Sequence, residues 1–379
     1  MKCSISDIAI IERKTISATE IKPGTKYLGL EHIEKDTGRI LEFIPVEKGE
    51  LASNKFVFTD KHVLLGKLRP YLNKVAIPDF SGICSTDIFP IKPIAVKVEK
   101  YFLAYILRQK AFVEYATSRS SGANLPRINA QTILDYKVNL PALPEQRRIA
   151  NLLSRAEAAL EKRREAMRLA DEFLKSVFLE MFGDPVRNEK RWKIYDFHST
   201  GTIDRGVSKH RPRNAPQLLG GPYPLIQTGE IANSTIYIRE YKQTYSEIGL
   251  KQSKMWPKGT LCITIAANIG KVGILSFEAC FPDSVVGYLP NKNMTAEYVL
   301  FWLLFIQKRL EDSAPESAQK NINLNILRNL KIPVPPFELQ SKFAGIIAQS
   351  EKLKEKQHES EKELENLFGA LMQKAFGNA

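Results

Sequence analysis

Cysteine is scarce in this chain of 379 residues. Cys3, Cys84, Cys262 and Cys280 are scattered, with no CxxC pair and no histidine at ligand spacing. That excludes a disulfide framework and a zinc ribbon, and points to reduced, partly buried thiols in a cytoplasmic protein. Long apolar runs are missing too. The longest, residues 298–306, is far shorter than the roughly 20 residues a membrane-spanning helix needs. The opening MKCSISDIAIIERK has no signal-peptide hydrophobic region. The expectation is a soluble protein with no membrane partner.

Nucleotide chemistry is absent as well. Neither Gly66-Lys67 nor Gly270-Lys271 is preceded by glycine at the spacing of a Walker A loop, since Lys61 and Ile265 stand there. Pro78-Asp79 and Pro282-Asp283 are not followed by the Asp/Glu-x-Lys of a restriction-nuclease core. Val334-Pro-Pro-Phe337 resembles the Asn/Asp-Pro-Pro-aromatic motif of amino-methyltransferases but lacks its polar first residue, so it reads as a stiff entry to a helix. No catalytic residue and no metal ligand is assigned. These exclusions describe a reader rather than a catalyst.

What the chain has is positive charge and a repeat. The formal net charge is +13. Residues 1–143 carry +6 and 186–336 carry +8, whereas 144–185 and 337–379 carry 0 and −1. The excess therefore sits in two segments only, as a polyanion binder requires. The repeat lies in the near-neutral segments. LPALPEQRRIANLLSRAEAALEKRREAMRLADEFLKSVFLEMFGDP returns without a gap at the end of the chain, Pro141 falling on Pro335, Gln146 on Gln340, Glu157 on Glu351 and Phe182 on Phe376. A long period of this kind is an internal duplication and governs the fold reading.

Each copy reads as one long helix. In the first, Ile149, Leu153, Ala156, Leu160, Arg163, Met167, Ala170, Leu174, Val177 and Met181 step four and three alternately, the spacing of a coiled-coil seam. Pro144 suits the first turn, and Gly183 with Pro185 ends the helix. The second copy keeps its seam at the ends, in Phe343, Ile347, Leu364, Phe368 and Leu371, with Leu353 the one large apolar residue in a polar middle. Half-polar rods of this length need partners. The simplest solution pairs them antiparallel, through Ile149, Leu153, Leu160, Met167 and Leu174 against Phe343, Ile347, Leu353, Leu364 and Phe368.

Outside the rods the chain reads as mixed α/β. Residues 26–40, 55–60 and 62–68 give short β-rich runs. A helix over about 98–115 follows, packed through Tyr101, Tyr105, Phe112 and Tyr115, then a polar loop at 118–129 and a strand at 136–140. Residues 186–336 repeat this order. Trp192–Phe197 echoes Cys3–Ile8, residues 259–275 echo 62–77, Glu297-Tyr298 echoes Glu99-Lys100-Tyr101, and 313–323 echoes 118–129 down to a shared Ile-Asn pair. The layout is 1–143, domain; 144–185, helix; 186–336, domain; 337–379, helix. The fold class is α+β: two mixed α/β domains joined by a pair of long antiparallel coiled-coil-like helices, with a pseudo-twofold repeat. One cluster, Arg205, Lys209, His210, Arg211 and Arg213, occurs in the second half only.

On this layout, and on KYLGLEHI with its Asp36-Thr37-Gly38 turn, YPLIQTGEI, ANIGKVG and LPALPEQRRIANLL, the chain resembles the specificity (S) subunit of type I restriction–modification systems. The resemblance covers essentially the whole chain. It implies two target recognition domains, each reading half of a split double-stranded DNA sequence, and two conserved spacer helices acting as a ruler. It implies docking of two methyltransferase (M) subunits and, through them, of restriction (R) subunits in phage defence. S-adenosylmethionine, ATP and Mg would then sit on the partners and no cofactor on this chain. One departure is Leu339, where the first copy has Glu145 of the Pro-x-x-x-Glu-Gln signature. A reader for a type IIB-like restriction machine and a coiled-coil scaffold that does not bind DNA are the alternatives.

Candidate contacts follow from the donors that bases and phosphates accept. Arg and Lys suit guanine O6/N7, while Asn and Gln suit adenine N6/N7. The candidates are Lys67, Arg69, Tyr71, Asn73, Lys74, Arg119, Asn124 and Arg127 in the first domain. In the second they are Arg205, Lys209, Arg211, Arg213, Asn268, Lys271, Gln319, Lys320 and Asn321.

Overall fold

The computed structural model describes residues 2–41, 45–47, 49–266, 269–312 and 323–377. The chain forms two compact units, Met1–Arg164 with Glu359–Ala379, and Glu165–His358. The division cuts both long helices, Leu143–Phe182 and Phe337–Phe376, near their middles. Each unit thus owns one mixed α/β part and half of each long helix.

In the first unit a central sheet runs Ala9–Ile11, Ile88–Pro93, Val63–Gly66, Val75–Ala76, all antiparallel. Val63–Gly66 is buried throughout, and its period-2 alternation divides it between two cores. Val63 and Leu65 join the cluster containing Phe102, Tyr105 and Leu153, while Leu64 joins Leu28, Phe58, Cys84 and Ile88 under a second sheet. That second sheet runs Thr15–Ile16, Lys55–Phe58, Gly82–Cys84, Tyr27–Leu28. Strand Lys137–Asn139 returns antiparallel to Lys2–Ser4 and delivers the chain to the first long helix. Here Ala150 and Leu153 pack with Phe368, Leu371, Met372 and Phe376. Arg164 lies 2.7 Å from both Glu361 and Glu365. Within this unit the two half-helices therefore run in opposite directions.

The second unit repeats the plan. Its central sheet runs Gly201–Arg205, Val285–Pro290, Leu261–Thr264, Val272–Leu275, Tyr237–Ile238. Leu261 and Ile263 face one core and Cys262 the other. The close face demands a glycine: a Cβ on Gly287 would lie 2.7–2.8 Å from Trp256 and Phe281, which stack at 4.9 Å across that strand. Strand Lys331–Val334 pairs with Lys193–Asp196, as Lys137–Asn139 does with Lys2–Ser4. Leu174, Phe178 and Phe182 pack with Phe343 and Ile347, and Lys354 pairs with Asp171. These two half-helices are again antiparallel.

The repeat positions explain themselves in contacts. Gln146 is 1% exposed; its Oε1 accepts from Glu99 N at 2.9 Å and its Nε2 donates to Pro141 O and Lys97 O. Gln340 is fully buried and does the same with Thr295 N, Pro335 O and Asn293 O. Glu157 accepts from Tyr105 Oη and Arg108, and its counterpart Glu351 from Arg239 and Lys354. The departure at Leu339 is harmless to this arrangement. Glu145 merely forks onto Arg148 at the helix start, whereas Leu339 packs against the second unit's core.

Several sequence expectations need correction. The helix expected over 98–115 is two helices, Lys100–Arg108 and Lys110–Ser118, broken at Gln109, whose ψ of 147° is extended. Tyr101 is 43% exposed and packs in no core. The echo of Glu297-Tyr298 with Glu99-Lys100-Tyr101 is out of register. The rod glutamines bind Glu99 N and Thr295 N, and those two residues cap their helices, so Thr295 is the counterpart of Glu99. Leu353 is 53% exposed, because its neighbours Glu351 and Lys354 take the inward positions through their ion pairs. Gly183, at φ +76°, ends the first long helix, its N–H donating to Leu179 O, as a left-handed C-terminal glycine should. Among the described residues no helix is long and apolar enough to cross a membrane.

Candidate nucleic-acid interface

Two stretches far apart in sequence meet in the first unit. The turn after Val63–Gly66 carries Lys67, Arg69 and Tyr71, and the loop after Lys110–Ser118 carries Arg119, Asn124 and Arg127. Backbone bonds tie them: Arg69 N donates to Pro126 O at 2.7 Å and Ile128 N to Lys67 O at 3.0 Å, with Leu68 bridged to Arg127. Asp87 holds the junction, 3.5 Å from Lys67 Nζ and 3.6 Å from Arg127 Nε. Both cations thus keep a fixed place with part of each still exposed. Arg69, at φ +52°, is exposed and Tyr71 beside it is 50% exposed. Arg119 lies over the Tyr115 ring at 4.1 Å, and Asn124 is exposed.

Asn73 and Lys74 turn the other way. Asn73, at φ +48°, donates from Nδ2 to Arg108 O at 3.2 Å, and Lys74 Nζ donates to Leu30 O at 2.6 Å. These two brace the turn from beneath rather than offering donors outward.

In the second unit, Arg205 ends the strand Gly201–Arg205 and is exposed, as is Lys209. Arg211 donates to Ser208 O and, at 3.2 Å, to Asp283 Oδ2; Arg213 donates to the other oxygen of the same carboxylate. Lys271 is exposed, its backbone N–H bonded to Thr264 Oγ1. Asn268, Gln319, Lys320 and Asn321 lie outside the described residues. Of the 313–323 echo, the structure describes its last residue. Asn323 caps the helix Leu324–Arg328 and Asn129 caps Ala130–Leu134, each accepting a backbone N–H, which is why the Ile-Asn pair recurs.

Sequence reasoning missed the anions. Asp87 and Asp283 each gather two cations, and an acidic residue flanked by basic loops was the available signal. It also missed a cleft of about 310 Å³ beside Arg213, lined by Asn214, Gln227, Gln243, Tyr245 and Ser284. No thiol is poised for chemistry: all four cysteines are buried, and burial pushes Cys84 up to about 12 and raises the other three. Among the described residues, no group of three or more His, Cys, Asp or Glu could hold a metal ion.

A family model described as the type I restriction modification DNA specificity domain matches residues 1–167 and again 192–366. A putative type I restriction enzyme MjaX specificity subunit of Methanocaldococcus jannaschii is 22% identical, over 96% of this chain and 91% of that one. The type I restriction enzyme EcoDI specificity subunit of Escherichia coli is 30% identical over 42% of this chain, a match spanning 36% of that longer protein. Among solved structures, the type I restriction–modification S subunit from M. genitalium superimposes with a TM-score of 0.63 at 14% identity, over 99% of this chain and 96% of the other. A chain from a structure of type I restriction–modification complex assembly gives 0.56 at 21%, over 99% and 97%.

Proposed function

We propose, from the premise that the chain belongs to the type I restriction modification DNA specificity family and is the sequence-specific DNA-recognition subunit of such a complex, that each of its units reads one half of a split, asymmetric target. The observation carrying this reading is the double match of the family model, once over each half. Each half also builds the same four-strand central order, extended in the second half by Tyr237–Ile238, from sequence that differs in its loops. Shared scaffold with different loops is what two different half-sites require.

The recognition domains are 1–143 and 186–336, and the spacers 144–185 and 337–379. The positive charge concentrated in the first pair supplies phosphate affinity. Exposed Arg69, Tyr71, Arg119 and Asn124, with Lys67 and Arg127 held at Asp87, present the first unit's donors. Arg205, Lys209 and Lys271 are the corresponding candidates in the second. The spacers form an antiparallel pair about a pseudo-twofold, supported by the opposite run of the half-helices inside each unit. Two methyltransferase subunits dock on this chain and bring the S-adenosylmethionine chemistry, and restriction subunits join through them. This chain contributes recognition and no catalysis.

Two experiments test the reading. Exchanging residues 186–336 for the corresponding domain of a relative, then mapping methylation by sequencing, should change one half-site and leave the other untouched. A change in both would end the split-reader assignment. Separately, Arg69→Ala and Arg119→Ala should each weaken DNA binding by the purified complex about equally across sequences. Each should also lower the slope of log K against log salt by roughly one. A loss confined to one base position would make that arginine a base reader instead.

A further inference from the structure

The two units differ at their sheet edges, and one of these edges bears on recognition. In the first, the parallel strand Tyr27–Leu28 ends the second sheet, with Leu28 opposite Cys84. Its counterpart in the second unit is Leu219–Leu225, with Leu225 opposite Cys280, also parallel. This strand is longer and carries a further strand on its outer side, Gln243–Tyr245. Leu225 pairs with Gln243, and two residues beyond it Gln227 Nε2 donates to Gln243 Oε1. Both glutamines are exposed and both line the 310 Å³ cleft. Arg213, from the cluster found in the second half only, lines the same cleft. Two features peculiar to this unit, the added strand and the basic cluster, converge there.

Their chemistry is specific. The amide–amide bond engages one group of each side chain, leaving Gln227 Oε1 as an acceptor beside Gln243 Nε2 as a donor. An acceptor next to a donor complements the N6 amino group and N7 of adenine in the major groove. Guanine would call for an arginine fork, but Arg211 and Arg213 both direct N–H groups onto Asp283. We propose that Gln227 and Gln243 act as one unit to read the adenine of an A·T pair in the half-site recognised by residues 186–336. This rests on the DNA-reading function argued above and names residues and a base for it.

The test uses the chain in complex with its methyltransferase subunit, acting on duplex libraries randomised through both half-sites, with methylation read by sequencing. The wild type should require A·T at one position that Gln227→Ala and Gln243→Ala both relax, by about 5- to 150-fold in discrimination. The other half-site and the spacer should stay as they were. Gln243→Glu keeps the acceptor for Gln227 but replaces the outward donor with an acceptor, so preference at that position should move toward cytosine, whose N4 donates. A gained preference cannot arise from misfolding. An unchanged profile in all three variants, or a uniform loss at every position, overturns the inference while leaving the DNA-reading function standing. A wild-type complex with no sequence preference overturns both.

Discussion

Phe178→Ala should cost the second unit about 3–5 kcal/mol, the range for emptying a fully buried aromatic site. Phe178 is fully buried, and its ring centroid lies 4.9–5.8 Å from those of Phe182, Tyr298, Phe301, Phe305 and Phe343. These rings come from the first long helix, the helix Ala296–Asp312 and the second long helix. Truncation therefore leaves a void walled by three elements, none of which can collapse inward without dragging its own rings. Urea unfolding followed by tryptophan fluorescence measures it cleanly. Trp192, Trp256 and Trp302 are the chain's three tryptophans, and all belong to the Glu165–His358 unit. Phe173→Ala on the same helix is the control. Phe173 is 55% exposed, so its loss should stay within about 0.5 kcal/mol. Equal shifts for the two variants would show that the buried face of the helix is misassigned.

Phe178 also marks where the sequence stopped being readable. A strict alternation of fours and threes places Val177 and Met181 on the seam, yet Phe178 and Phe182 are the fully buried pair and the other two are half-buried. A straight helix drifts about 20° per heptad against a 3.5-residue repeat. Early in the helix Leu153 and Leu160 are buried as the seam has them; the drift then accumulates toward the far end. The gapless 194-residue offset was plain because a helix cannot absorb an insertion without rotating every later side chain. The sheet domains have loops that absorb insertions freely, so the echoes there slipped by two or three residues. Phe197, whose N–H donates to Leu330 O, is the counterpart of Ile5, whose N–H donates to Tyr136 O, and not of Ile8. The same holds for the candidate site. The polar side chains of residues 67–74 look alike in sequence, but Lys74 finds Leu30 O and Asn73 finds Arg108 O, partners 44 and 35 residues away. Nothing local marks which side chain turns inward. Gln227 and Gln243 were likewise invisible, since a strand pairing with a register shift between Leu219 and Tyr223 brings them together.

Gln340→Leu should be nearly as damaging as Phe178→Ala, although it makes the site more apolar. The Gln340 amide is fully buried and satisfies three backbone groups, Thr295 N, Asn293 O and Pro335 O, at 2.8–3.1 Å. Leucine strands all three, and a buried polar group left without a partner costs about 1–3 kcal/mol. The Thr295 N–H is the first donor of the helix Ala296–Asp312, so the loss should also fray that helix. The expected destabilisation is about 3 kcal/mol or more on tryptophan fluorescence. Gln146→Leu should do the same to the first unit, which lacks tryptophan and needs a far-UV readout. Gln340→Glu separates hydrogen bonding from volume and adds a pH signature. The new carboxylate keeps the bond from Thr295 N but faces two carbonyl oxygens, which, with burial, hold its folded-state pKa above the unfolded value of about 4.3. The folded state then binds the proton more tightly, so this variant should be most stable below about pH 4.3. It should lose stability as pH rises toward the folded-state pKa, the reverse of a salt-bridged carboxylate. Glu145→Leu, which copies the second helix start onto the first, should leave stability unchanged. A wild-type-like Gln340→Leu, or a Gln340→Glu variant that gains stability with rising pH, would mean that the repeated glutamine is not what anchors each long helix to its sheet domain.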